Sequence, residues 1–167
     1  MNSSRKPVPH SAFRTPHSAL FYFAPPLIWM AAMFYFSTDS FSATNTGSRL
    51  EWLLSFLPIQ FSAASIEWAH FLIRKAAHFT EYGVLALLWL RAFRSGDAQR
   101  WQWRWGLWAF AVIAAWALLD EWHQSFTASR TGSIYDSLLD MSGGATALLL
   151  WRLRRNARVA VRGAWAT

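Results

Sequence analysis

Between Glu67 and Asp140 the chain gathers residues able to do acid–base, anion-binding or metal chemistry. In the run EWAHFLIRKAAHFTEYGVLALLWL, which ends at Leu90, the positions Lys75, His78, Glu81 and Tyr82 are three or four apart, so one side of a helix carries all of them. Arg74 lies beside them. A second group, Asp120, Glu121, His123 and Gln124, follows another apolar run; Arg130 stands alone, and Asp136 and Asp140 are one helical turn apart. An imidazole flanked by carboxylates is the equipment of a general base or nucleophile, which makes His78, with Glu121 and Asp136, the catalytic candidates. Arg74, Lys75 and Arg130 are suited to holding an anionic head group. Glu81, Tyr82, Gln124 and Asp140 complete the ligand-binding set. His78 with Glu121, Asp136 and Asp140 also offers donors to a divalent metal. That use is not favoured, because no H-E-x-x-H or comparable local motif is present, and no residue is assigned as a metal ligand.

These groups need apolar elements to position them. Of 167 residues, 54% are hydrophobic, 17% aromatic and only 15% charged, a balance that points to a membrane protein rather than a soluble domain. Charges near the centre of a bilayer cost roughly 2.5 to 3.5 kcal/mol each and less near its edge, so those in the 67–90 run require a partner or a task. The absence of cysteine excludes disulfides, thiolate nucleophiles and Cys-based zinc sites.

Four spans are expected. Residues 1–18 read as a disordered basic tail, and Ala19 to Phe36 is an uncharged first span that Pro25 and Pro26 should kink or begin. A basic segment before an apolar run also fits a secretory signal, with Ser40 and Ser42 as small residues, but the run is long for one. Thr38 to Ser65 is a polar linker holding a short interfacial amphipathic helix at Leu50 to Phe56, anchored by Trp52. The remaining spans are Phe71 to Phe93, Gly106 to Leu119 and Ile134 to Leu153, giving a membrane domain over 19–155 and a basic tail over 156–167. Trp116 and Trp122 read as an interfacial belt.

The net charge of +7 is a topology signal rather than a nucleic-acid footprint. Three Lys/Arg residues in the N-terminal tail, four between Arg91 and Arg104 and five from Arg152 to Arg162 lie on one side with Asp97 as their single acid. The other four bases and eight acids lie on the other. Basic loops stay inside, so both termini are expected in the cytoplasm and the polar groups at the outer leaflet. The fold class is thus an all-α membrane protein, a small bundle of four transmembrane helices. Asp136, Asp140, Gly143, Gly144 and Ala147 form one small, acidic face that lets the fourth helix approach its neighbours. Of Asp120 and Glu121, about 100° apart on a helix, Glu121 is expected to face the pocket, with Gln124 three residues on. His123 is expected to face solvent, and Tyr82 to pack with its hydroxyl satisfied.

The runs RKAAHFTEYGVLALL and DEWHQSFTASRTGSIYDSLLDMSGG, with FYFSTDSFS before them, resemble the VanZ-like family, named for a protein linked to low-level teicoplanin resistance. The resemblance spans about Phe34 to Ala147. Matching positions are Lys75, His78, Glu81 and Tyr82, then Glu121, Gln124, Phe126, Arg130, Asp136 and Gly143. Asp140 stands where many relatives have Asn, and Ala128-Ser129 where many have Pro-Gly. The resemblance implies a multi-span protein of the bacterial envelope, in the inner membrane, with no settled reaction; the cations beside His78 suggest membrane lipids as partners, including a lipid-linked anionic wall precursor, and the charge distribution argues against nucleic acid. Three uses of the pocket follow: recognition of such a precursor with an effect on glycopeptide sensitivity, lipid-phosphate chemistry with His78 as base or nucleophile, and a small transporter or proton relay. A purely structural use is also open, in which Lys75 or Arg74 pairs with Glu121 and Arg130 with Asp136. The related halves and broken helices of a transporter are not evident.

Overall fold

A computed structural model describes residues 16–37, 52, 56, 61–94, 102–126 and 133–164 of the chain. Four helices account for most of them: α1 Pro16–Phe36, α2 Ala63–Arg94, α3 Trp103–Gln124 and α4 Ile134–Ala164. The helices alternate in direction: Phe21 and Trp29 of α1 meet Arg91 and Glu81 of α2, Ile113 and Ala117 of α3 meet Gly144 and Ser137 of α4, and Lys75, His78 and Gly83 of α2 meet Asp136, Asp140 and Ala147 of α4. Thus α2 and α4 run parallel and share the most extensive contact, α3 packs against both, and α1 lies mainly on α2.

The α2–α4 contact is close because its residues are small. A Cβ added at Gly143 would stand 2.2 Å from the Phe79 carbonyl oxygen, and one at Gly144 would stand 2.9 Å from Ile113 Cδ1. The expected small face of the fourth helix is therefore present and bears on both neighbours. Around it, Tyr82, Leu85, Ala86 and Leu90 of α2 pack with Ala109, Ile113 and Ala117 of α3 and with Leu148 of α4.

Pro25 and Pro26 lie inside α1, which neither starts nor stops at them. Each proline removes an amide donor to the carbonyl four residues back. Phe21, four before Pro25, is approached at 3.5 Å by Arg91 Nη1, and the same guanidinium lies over the Phe21 and Tyr22 rings. Farther along α1, Trp29 Nε1 donates to the Glu81 carbonyl at 3.1 Å and fixes α1 against α2.

The last helix runs eleven residues beyond the expected end of its span at Leu153, to Ala164. Arg and Ala sustain it there, being strong helix formers, and the Arg94 and Arg155 guanidinium groups lie over the Trp151 ring. Likewise, α2 begins at Ala63, inside the expected linker, and α1 begins at Pro16, inside the expected basic tail. Of the expected interfacial helix, Trp52 and Phe56 are described, their rings edge to face at 4.8 Å. Its other residues lie outside the described ones.

Four helices in the expected order are observed, yet among the described residues no helix is long and apolar enough to cross a membrane. Charged side chains within α2 and α4 lower their mean hydropathy, and the tryptophans of α3 contribute little to its own.

Candidate active site

The polar side chains converge at one end of the bundle, where α1 and α3 finish, α4 starts and the first half of α2 passes. At the rim, Lys75 Nζ pairs with Asp136 Oδ1 across the α2–α4 contact, both side chains about a quarter to a third exposed (27% and 30%). One turn deeper on each helix, His78 Nδ1 stands 3.4 Å from Asp140 Oδ1, with side-chain exposures of 19% and 1%. That separation is longer than an ordinary N–H···O hydrogen bond. Both carboxylate oxygens of Asp140 are buried without a hydrogen-bond donor among the described residues.

The third helix closes the cluster through Asp120. Its Oδ2 accepts a hydrogen bond at 2.8 Å from Gln124 Nε2, which also donates to Ser37 Oγ of α1 at 3.0 Å. One donor atom from each of His78, Asp120 and Asp140 falls within a group no wider than 4.8 Å. Ser137 Oγ donates to the Ala117 carbonyl at 3.3 Å, holding α4 against α3 one turn below Asp120. Tyr82, one turn below His78, is wholly buried, and its hydroxyl has no partner among the described residues.

Glu121 is placed differently from the sequence expectation. Its Oε2 accepts the Ser133 amide at 2.6 Å, tying the end of α3 to the cap of α4, while Asp120 turns to the cluster. Burial pushes the Glu121 carboxyl above the ordinary carboxylate range, and the Ser133 amide draws it partly back. Gln124 is compatible with either acid, three residues from Glu121 and four from Asp120, and the spacing of four is the signal that could have identified Asp120.

The ion pairs differ too. Lys75 takes Asp136 rather than Glu121, because the parallel α2–α4 contact puts the fourth turn of α2 beside the first turn of α4. Arg74, half-buried, makes no ion pair with a described residue, and Arg130 lies outside the described residues. Glu81 is half-buried, its carbonyl engaged by Trp29. His123, expected in solvent, is half-buried against Phe34 of α1, the ring centroids 4.4 Å apart and the planes tilted by 38°. Trp122 is exposed as expected of a belt, but Trp116 packs against the core. A separate cavity of about 330 Å³, lined by Ala64, Glu67, Trp68 and Phe71, opens near the start of α2. It lies roughly 15 Å along the helix from His78.

The residues that build this end, from Ser37 through His78 and Asp120 to Asp140, all fall within residues 22–155, which match the VanZ/LLP1 family. The chain belongs to the VanZ/LLP1 family. No curated protein and no solved structure matches it. The VanZ/LLP1 match takes in most of α1, all of α2 and α3, and α4 as far as Arg155, so the polar end belongs wholly to the family region and the final turns of α4 do not.

Proposed function

We propose that this VanZ/LLP1-family chain is a multi-pass protein of the bacterial inner membrane, with both termini cytoplasmic. We further propose that its polar end is an outward-facing pocket for the anionic head group of a lipid-linked cell-wall precursor. The membrane reading is supported by apolar side chains exposed on every helix, among them Ile28, Leu72, Leu119 and Leu149. A soluble monomer rarely shows so much apolar surface, whereas lipid covers it. Arginines stacked on aromatics at the other end suit the cytoplasmic interface.

The head-group reading is carried by one observation: the partly exposed Lys75–Asp136 ion pair at the rim stands one turn above the buried His78–Asp140 cluster, with Arg74 next to Lys75 in the chain. An incoming phosphate can take Lys75 from Asp136 at little cost, since both ends of that pair are partly solvated. Occupation of the pocket by a wall precursor would also connect the protein to glycopeptides such as teicoplanin, which bind wall precursors.

Native mass spectrometry of the purified chain with added undecaprenyl phosphate tests this reading. Wild-type protein is expected to retain the lipid, and the Arg74→Ala/Lys75→Ala double variant to lose at least about 10-fold of that retention, the effect of removing two charge-assisted contacts. Equal retention would exclude the pocket as a head-group site. A second reading, lipid-phosphate chemistry, is favoured by the His78–Asp140 approach, which resembles a base with its orienting carboxylate. In that reading Asp140 takes the orienting role, because Glu121 and Asp136 are held by Ser133 and Lys75.

A further inference from the structure

We infer that His78, Asp120 and Asp140 form a divalent transition-metal site, with Zn²⁺ the ion the donors fit best. The inference stands on the donor geometry and does not depend on the lipid reading. Three helices each contribute one ligand, and the three donor atoms already lie within 4.8 Å of one another. Around a tetrahedral zinc ion at about 2.0 to 2.2 Å from each ligand, neighbouring donors are about 3.3 to 3.6 Å apart, a separation His78 Nδ1 and Asp140 Oδ1 already meet at 3.4 Å, so the trio closes on the ion by an approach of at most about 1.5 Å.

The independent observation is Asp140. Its side chain is 1% exposed, and among the described residues neither carboxylate oxygen has a hydrogen-bond donor. A buried carboxylate is retained when it is paired, protonated or coordinating a metal. Lys75, one turn from His78 on α2, is engaged with Asp136, and the imidazole of His78 stays at 3.4 Å. Asp120, by contrast, is held at Oδ2 by Gln124, whose amide is itself anchored on Ser37. That is the outer-shell support that fixes a ligating carboxylate while leaving its other oxygen for the ion.

The donor types select among ions. An imidazole nitrogen with two carboxylates suits zinc or manganese, whereas calcium and magnesium take oxygen sets. Three protein ligands leave at least one position open, as in catalytic rather than structural zinc sites. The chain contains no cysteine, so no thiolate competes for the metal.

Isothermal titration of the full-length, tag-free protein in detergent, first stripped with a chelator, tests the site using Zn²⁺ alone and Mn²⁺ alone. About one Zn²⁺ per chain is expected to bind. Since loss of an outer-shell partner already weakens metal binding 10- to 100-fold, Asp140→Asn should weaken it by more than about 100-fold. Glu67→Gln, three turns from His78 along α2, should bind as wild type does. If Asp140→Asn does not fold, His78→Gln supplies the same reading, and zinc-edge X-ray absorption of wild type should show a nitrogen–oxygen sphere whose imidazole scattering that variant loses. Absence of saturable binding to folded wild type, or undiminished binding to folded Asp140→Asn or His78→Gln, would overturn the inference. A proton on the cluster in place of a metal would give the first of these results. Neither result bears on lipid retention, which is measured without added metal.

Discussion

Lys75 and Asp136 form a pair whose worth depends on where it stands. Each side chain is only partly exposed, so removing one leaves the other short of both water and a partner. Lys75→Ala and Asp136→Ala are each expected to destabilise the chain by about 1 to 2 kcal/mol, and the double variant by less than the sum of the two. Thermal unfolding in detergent checks this double-mutant cycle; strict additivity would mean that the two charges do not interact. The same residues show how far single positions could be read in advance. The spacing of Lys75, His78 and Tyr82 along one side of α2 was legible because a helix has one period. Partners were not, because the choice of Asp136 over Glu121 depends on which helices lie side by side, and spacing within one helix carries no information on that. Asp120 was missed for a related reason. Both acids are compatible with Gln124, and the decision came from Ser133, whose amide needs an acceptor at the start of α4 and takes Glu121.

At the scale of the element, the approach of α4 to α2 and α3 is what brings the site together. Gly143, Gly144 and Gly83 differ in what a methyl group would meet: a backbone carbonyl at 2.2 Å, the end of an isoleucine side chain at 2.9 Å, and ordinary contact at 3.5 Å. The Ala substitutions should therefore be graded. Gly143→Ala is expected to cost about 1 to 3 kcal/mol, as overpacking of a closed contact does, Gly144→Ala less, and Gly83→Ala close to nothing. Unfolding midpoints of the three variants check the order, and a Gly143→Ala midpoint equal to that of Gly83→Ala would contradict the close packing. The small-residue spacing made this face legible from the residues alone. Helix ends were less so: α1, α2 and α4 all extend past the apolar stretches that suggested them, because helix formation continues wherever the backbone can hydrogen-bond and does not stop where hydrophobicity does.

For the whole molecule, the central claim is that ionic side chains from separate helices meet at one end and that this end faces outward. The chain's lack of cysteine makes that claim directly measurable, since every thiol introduced reports on its own position. The ring contact of Arg94 with Trp151 marks the opposite end of the same α2–α4 pair. The deciding measurement is disulfide cross-linking in intact cells of two double variants, Lys75→Cys/Asp136→Cys and Arg94→Cys/Trp151→Cys, combined with a membrane-impermeant thiol reagent. The account predicts that the first pair cross-links under oxidation and is blocked by reagent added from outside, while the second is reached only after the membrane is opened. Failure of the first pair to cross-link, or protection of that pair with labelling of the second from outside, would contradict it.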